Sequence, residues 1–337
     1  MKGLRKYLTP FAPDQSGAAA VLYDLGGMIV ILDAGGCAGN ICGFDEPRWE
    51  HRKSAIFSAG MRDMDAIMGR DDLLAGKIAA AAQQLDVRFI ALIGTPVPAV
   101  IGTDYPALAR MVKKRTGLPV LSIDTNGMEL YDMGETKAYL ALYQTFAQEM
   151  PAVQKGRVNL ICEALGGGAQ TPCIKSDLPA ASLPGWDPLE QIRCASAAEK
   201  TIAASPSAVA AARCLYERFG TPYEITDPAA DALLPAADYA HRRILIVHQH
   251  VTADTLRREL LQRGAAAVVC ATWFSFAKEV RQPGDVFLKE EDDFTALAGE
   301  GFDLIIADAA LKPLAPDYTG WWIDAPHFAL SGRRTGN

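Results

Sequence analysis

The sequence predicts an α/β protein with mostly parallel sheets, arranged as three Rossmann-like units. Short apolar runs recur along the whole chain without strict alternation, so these strands are covered on both faces. Stretches of helical character, with recognisable start and stop signals, lie between them. The 337 residues exceed one small core and suit two or three α/β units.

The expected strands are 28–32 (MIVIL), 88–94 (RFIALIG), 118–124 (LPVLSID), 157–164 (RVNLICEA), 243–249 (RILIVHQ), 267–272 and 302–308 (FDLIIAD). Among the helices, 71–85 opens with Asp71 and Asp72, which favour a positive helix end. Asp104 suits the cap of a helix that stops at Gly117. A helix over 134–150 ends before Pro151. Ser205 and Pro206 form a cap and first position for a helix reaching Gly220, and Thr252 offers a cap for 253–264. Composition shifts at 151–156 and 225–243 divide the chain into units at 18–155, 156–238 and 239–331. The irregular stretch 165–188 is long enough to suggest a functional or interfacial role.

A net charge of -7 argues against a nucleic-acid partner. The opening MKGLRKYLTPFAPDQSG lacks an apolar signal region, and no run is long enough to span a bilayer. A cytoplasmic protein with no membrane partner is expected. The seven cysteines are odd in number and scattered, which predicts reduced thiols rather than a disulfide framework.

The stretch after the first strand, ILDAGGCAGNICGFDEPRWEH (31–51), is the main candidate site. Loops at the carboxyl ends of parallel strands are the usual ligand positions. Asp33 ends the strand as a turn-capping carboxylate or a ligand-facing one. Gly35, Gly36 and Gly39 let backbone approach a cofactor or turn through positive φ. Cys37 and Cys42 read as packing residues or as metal ligands. The spacing fits neither common nucleotide loop, so no direct nucleotide is predicted. An iron–sulfur cluster typically takes four thiolates, of which one loop supplies two; a symmetric dimer would supply the rest. Zinc competes for the same thiolates.

Other candidates are more ambiguous. Asp45, Glu46, Arg48 and His51 form an interface or docking face, or a solvated loop. Gly166, Gly167 and Gly168 come after Cys162 and precede Cys173, so either thiol is a further ligand candidate. Cys194 lies near a strand, while Cys214 and Cys270 read as packing. Asp308 ends a strand on the ligand side of the last unit, and His327 lines a cavity or docks the tail. His248 and His250 share a face if their strand continues.

Five segments resemble the nitrogenase component 1-type oxidoreductases, which include nitrogenase MoFe subunits, cofactor-assembly scaffolds and light-independent protochlorophyllide reductases. They are GGCAGN; FSAGMRDMDAIMGRDDLLAGKI, with Met61, Asp65, Ile67, Gly69, Leu73, Leu74 and Lys77 in place; IGTPVPAVIGTDYPAL; ASPSAVAAARCLYERFGTPY; and FDLIIAD with IDAPHFALSGR. The resemblance covers nearly the whole chain. It implies that Cys37 is a cluster ligand, with a [4Fe–4S] cluster near a homodimer interface and an ATP-dependent iron–sulfur reductase as electron donor. The departures are equally specific. The upstream ligand cysteine is absent from PFAPDQSGAAA (10–20), and Thr95 stands where another is expected. Cys42 is the nearest replacement. No cofactor cysteine or histidine of true nitrogenase has a clear match, so dinitrogen reduction is not expected. Three functional readings remain: an oxidoreductase component with an unidentified substrate, a scaffold or carrier of a metallocofactor, or a cluster-free small-ligand binder.

Overall fold

A computed structural model describes residues 5–51, 54–61, 69–166 and 187–333. The chain forms two compact units, one of Ala12–Thr201 with Ala210–Tyr223, the other of Met1–Phe11, Ile202–Val209 and Glu224–Asn337. All seven expected strands are present among the described residues.

The first unit begins with α1 (Asp14–Leu22), β1 (Gly27–Ile31), α2 (Gly36–Asn40), β2 (Ala55–Ser58), α3 (Asp71–Ala82) and β3 (Phe89–Ile93). Then come α4 (Pro96–Ile101), α5 (Tyr105–Thr116), β4 (Val120–Ile123) and α6 (Tyr131–Phe146). The four strands form a parallel sheet in the order β2-β1-β3-β4. Met28, Val30, Leu32, Ile90 and Leu92 face Ile78, Ala82, Leu108 and Val112, which puts α3 and α5 on one side. α1 packs against β1 and β3, and α6 against β4. As expected, Asp104 caps α5, accepting from the Ala107 amide at 2.8 Å, and Gly117 closes the helix at φ 70°.

The α1–α6 contact is exceptionally close. A Cβ on Gly17 would lie 1.9 Å from the Tyr131 carbonyl oxygen, and one on Gly134 would lie 1.7 Å from that of Asp14. Every residue of α1 is buried. This helix was not expected, because a helix enclosed on all sides has no polar stripe to reveal its period.

Next come β5 (Gln154–Ile161), α7 (Pro188–Arg193), β6 (Ala198–Ala203), α8 (Val209–Phe219) and β7 (Tyr223–Ile225), whose strands form a sheet in the order β5-β6-β7. The remaining elements include β8 (Arg243–Val247), α9 (His250–Gln262), β9 (Ala267–Thr272), β10 (Val286–Phe287), α10 (Glu291–Ala298), β11 (Leu304–Ala307), β12 (Trp321–Asp324) and α11 (Phe328–Ser331). Their sheet is parallel, in the order β10-β9-β8-β11-β12. Ile244, Ile246, Leu304 and Ile306 pack with Ala253, Leu256 and Leu260 of α9.

Several boundaries differ from expectation. α6 starts three residues early, at Tyr131. α9 starts at His250 and is capped by Gln249, whose side chain accepts from the Val251 amide at 2.9 Å. Thr252 does not cap; it donates to Asp227 at 2.6 Å. The glycine-rich stretch is not an open loop. It turns at Gly35 (φ 122°), forms α2, and continues as a π-helical turn over Ile41–Asp45.

Asp308, fully buried after β11, anchors the C-terminal segment. It accepts from the His327 amide at 2.9 Å, the Ala310 amide at 2.8 Å, the Arg333 guanidinium at 2.8 Å and the Ser331 hydroxyl. Burial alone would raise its pKa, but these donors hold it below the ordinary carboxylate value.

Replacing Gly134 with Ala should force α1 and α6 apart and lower stability by roughly 1–3 kcal/mol or more, read from urea midpoints. Asp308→Asn should cost about 1–3 kcal/mol at neutral pH. Because the native pKa is depressed, Asp308's contribution is present above the unfolded pKa and lost as pH falls through the native one. The wild-type advantage in urea titrations should therefore shrink in acid.

Candidate functional site

In the first sheet the chain leaves β1 toward β2 on one side and leaves β3 toward β4 on the other. Loops diverging from adjacent strands open a crevice at their carboxyl ends, the usual ligand position in such sheets. The cysteine-bearing turn comes after β1 at this point, and Thr95 comes after β3.

Asp33 shapes the turn. It is 2 % exposed, and its two oxygens accept from the Ala38 amide at 2.8 Å and the Ser58 hydroxyl at 2.6 Å. These bonds fold the segment back over the strand end and carry Cys37 into α2. Thr95, 1 % exposed, donates to the Leu32 carbonyl at 2.7 Å and ties the ends of β3 and β1 together. Where the resemblance expected a sulfur ligand, the hydroxyl is thus engaged with backbone. Within 10–20, Ser16 donates to Asp45 at 2.7 Å and fastens the π turn to α1. Burial raises the Asp45 pKa, and the Ser16 bond opposes it.

Cys37 and Cys42 are both half-buried, and neither forms a disulfide. Burial, followed by the Asp33 charge, pushes the Cys37 thiol pKa up. A cation beside the thiol would oppose both effects. A Cβ built on Gly35, Gly36, Gly39 or Gly43 would meet nothing within 4 Å, so the turn faces open space. Phe44 beside it is 79 % exposed.

The charged set divides. Glu46 is buried and pairs with Arg48, with Nε to Oε1 at 2.6 Å, while Arg48 lies 4.5 Å over the Tyr23 ring. His51 faces solvent beside exposed Glu50. Gly166 takes φ 71° after Cys162, whose carbonyl accepts from Tyr139 at 2.7 Å. Asp65, Ile67, Gly167, Gly168 and Cys173 lie outside the described residues. Cys214 and Cys270 are buried, as expected of packing residues, and Cys194 contacts Glu190 at 3.6 Å.

His248 and His250 do not share a strand face, because β8 ends at Val247 and His250 starts α9. Both nitrogens of His250 are engaged: Nε2 lies 3.0 Å from Asp285, and Nδ1 accepts from the Ala277 amide at 3.1 Å. His327 is buried; burial lowers its pKa to about 4 despite Asp308 nearby, so it is neutral at ordinary pH.

Among the described residues, no group of three or more His, Cys, Asp or Glu is arranged to hold a metal. Two half-buried thiols fit an iron–sulfur cluster in donor type. One chain does not reach four; two copies of the turn would. The sequence missed Ser16 and the structural use of Thr95. Position after a parallel strand was the available signal for Thr95, whereas Ser16 sits on the helix whose period is hidden.

The family model "Nitrogenase component 1 type Oxidoreductase" matches residues 14–230. The solved structure "Nitrogenase Cp1 at pH 6.5" superposes with a TM-score of 0.68 at 13% identity, covering 100% of this chain and 89% of the other. "Nitrogenase Cp1 at pH 5" gives 0.63 at 13%, covering 97% and 86%. At that identity the likeness establishes the fold alone. A comparison with curated proteins finds no match. No described helix is long and apolar enough to cross a membrane.

Asp33→Asn should lower the Cys37 pKa by removing the adjacent charge. Alkylation of Cys37 by iodoacetamide at pH 8, monitored by peptide mass spectrometry, should speed up a few-fold relative to Cys42; an unchanged ratio would show that the Asp33 charge does not control this thiol.

Proposed function

The chain belongs to the nitrogenase component 1-type oxidoreductases, whose family model spans more than half of it, and from that premise we propose an electron-accepting component that binds an iron–sulfur cluster. Cys37 and Cys42 from each of two chains would hold one [4Fe–4S] cluster near a two-fold axis, with Asp33, Gly35, Gly36 and Gly39 lining it. The observation that carries this reading is the pair of half-buried thiols on a turn at the β1/β3 crevice, facing open space.

When bound, the cluster supplies a one-electron store. The chain's own residues do the rest. Asp33 orients the turn through Ala38 and Ser58, and its charge adds to burial in raising the Cys37 pKa. Ser16 and Thr95 brace the turn and the strand ends. An ATP-dependent iron–sulfur reductase is the proposed donor, and the reduced substrate is unidentified. A reducing, cytoplasmic setting belongs to this proposal, since it keeps such thiols available to a cluster. The three sheets support a division into units at 18–155, 156–238 and 239–331. A second reading, a metallocofactor carrier, is favoured by the exposure of the turn, which suits handover.

Protein purified without oxygen should be brown and dimeric and contain about two iron and two sulfide per chain, that is, one four-iron cluster per pair. Replacing both Cys37 and Cys42 with Ala should abolish iron and colour while leaving the fold intact by circular dichroism. A colourless wild type, or a variant that keeps its iron, would sink the proposal. Turnover with a reductase and ATP separates a component from a carrier, which would transfer its cluster instead.

A further inference from the structure

The sheet of the second unit has its own crevice. From β8 the order runs through β9 to β10 on one side and through β11 to β12 on the other, so the carboxyl ends of β8 and β11 flank the diverging loops. His248 comes after β8, Trp273 and Phe274 after β9, Asp308 after β11, and His327 lies beyond β12. This edge is walled by rings. Phe274 stacks on His327 at 5.0 Å and 9°, and His327 meets His248 edge-on at 4.8 Å.

Residues 5–11 close this wall. Phe11 sits 5.2 Å from Phe274, tilted against it, and 6.0 Å from Trp273, edge-on, and is 7 % exposed. The Arg5 guanidinium lies 3.6 Å over the Phe11 ring. The segment contributes no strand to the sheet. Its backbone is held largely by one side chain: Glu291 accepts from the amides of Lys6 at 2.8 Å, Tyr7 at 3.0 Å and Leu8 at 2.8 Å. Arg5 also donates to the Thr9 carbonyl at 2.7 Å.

We infer that residues 5–11 form a detachable strap, and that Phe11 plugs an aromatic slot which, with the strap lifted, accepts an uncharged planar ring. Three features carry the inference: the slot's position at a crevice that binds ligands in sheets of this kind, its walls of Trp273 and Phe274, and the strap's dependence on Glu291. The strap differs from ordinary core because it can leave without breaking any pair in the β8–β12 ladder.

The test uses the full chain as wild type, Glu291→Gln and Phe11→Ala, with hydrogen exchange and indole as an uncharged ring probe. In the wild type, the Lys6, Tyr7 and Leu8 amides should exchange at least about tenfold faster than those of Ile246 and Ile306. Glu291→Gln should accelerate the strap amides about tenfold further and leave the sheet unchanged. Phe11→Ala should bind indole saturably, with a rise in Tm that exceeds the wild-type response. Strap and sheet amides exchanging together would make the segment a fixed part of the core and overturn the proposal. A folded Phe11→Ala protein that ignores indole would overturn the slot. If that variant fails to fold, exchange in the wild type and in Glu291→Gln decides whether the strap detaches, and indole binding by Glu291→Gln decides the slot.

Discussion

The first unit depends on the distance between α1 and α6. Gly17 and Gly134 each lie against the other helix's backbone, where any side chain would collide with a carbonyl oxygen. Close approach brings the first turn of α1 to the carboxyl edge of the sheet. There Asp14 accepts from the amides of Asn126 at 2.8 Å and Gly127 at 2.7 Å and so fixes the loop after β4. Two residues on, Ser16 holds Asp45. One helix start thus organises the loops after β1 and β4, and Thr95 connects the end of β3 to the end of β1.

This arrangement gives the departures from the family pattern a physical form. Hydroxyls at Ser16 and Thr95 are already committed to bonds that hold the turn together, and neither is a spare donor waiting for a metal. Cys37 and Cys42 ride half-buried on this braced turn. The space over Gly35, Gly36, Gly39 and Gly43 stays open.

Much of the fold was legible because buried parallel strands announce themselves as continuous apolar runs. MIVIL, FIALI and LIIA all lie where those runs predicted. Asp104 and Gly117 marked their helix correctly because capping chemistry is local. Short strands such as β2 and β10 were hidden, since two to four residues carry no period. The site was legible as a position, after the first strand, but not as a conformation. The glycines suggested a turn-like loop; bonds from the Ala38 amide to Asp33 and from Ser16 to Asp45 accompany a helical turn instead. Those bonds join residues 5 and 29 positions apart, and the longer one depends on tertiary packing that local sequence does not encode. The shared face offered for His248 and His250 depended on the strand continuing; it stops at Val247, and His250 pairs instead with Asp285, far along the chain.

The π turn over Ile41–Asp45 has a consequence of its own. Such a turn is an α-helix carrying one residue too many, and the surplus is absorbed within a single coil. The segment between Cys37 and Asp45 therefore behaves as an adjustable register rather than a fixed length. Removing one residue there would restore ordinary helical winding and rotate the chain beyond Asp45 by about 100° relative to α2. The segment that follows, with its Glu46–Arg48 pair, would then face another direction with no alteration to β1, to α1 or to either cysteine. In a scaffold whose sheet is tightly specified, one residue in a coil is a small edit through which the surface beside the crevice can be re-aimed.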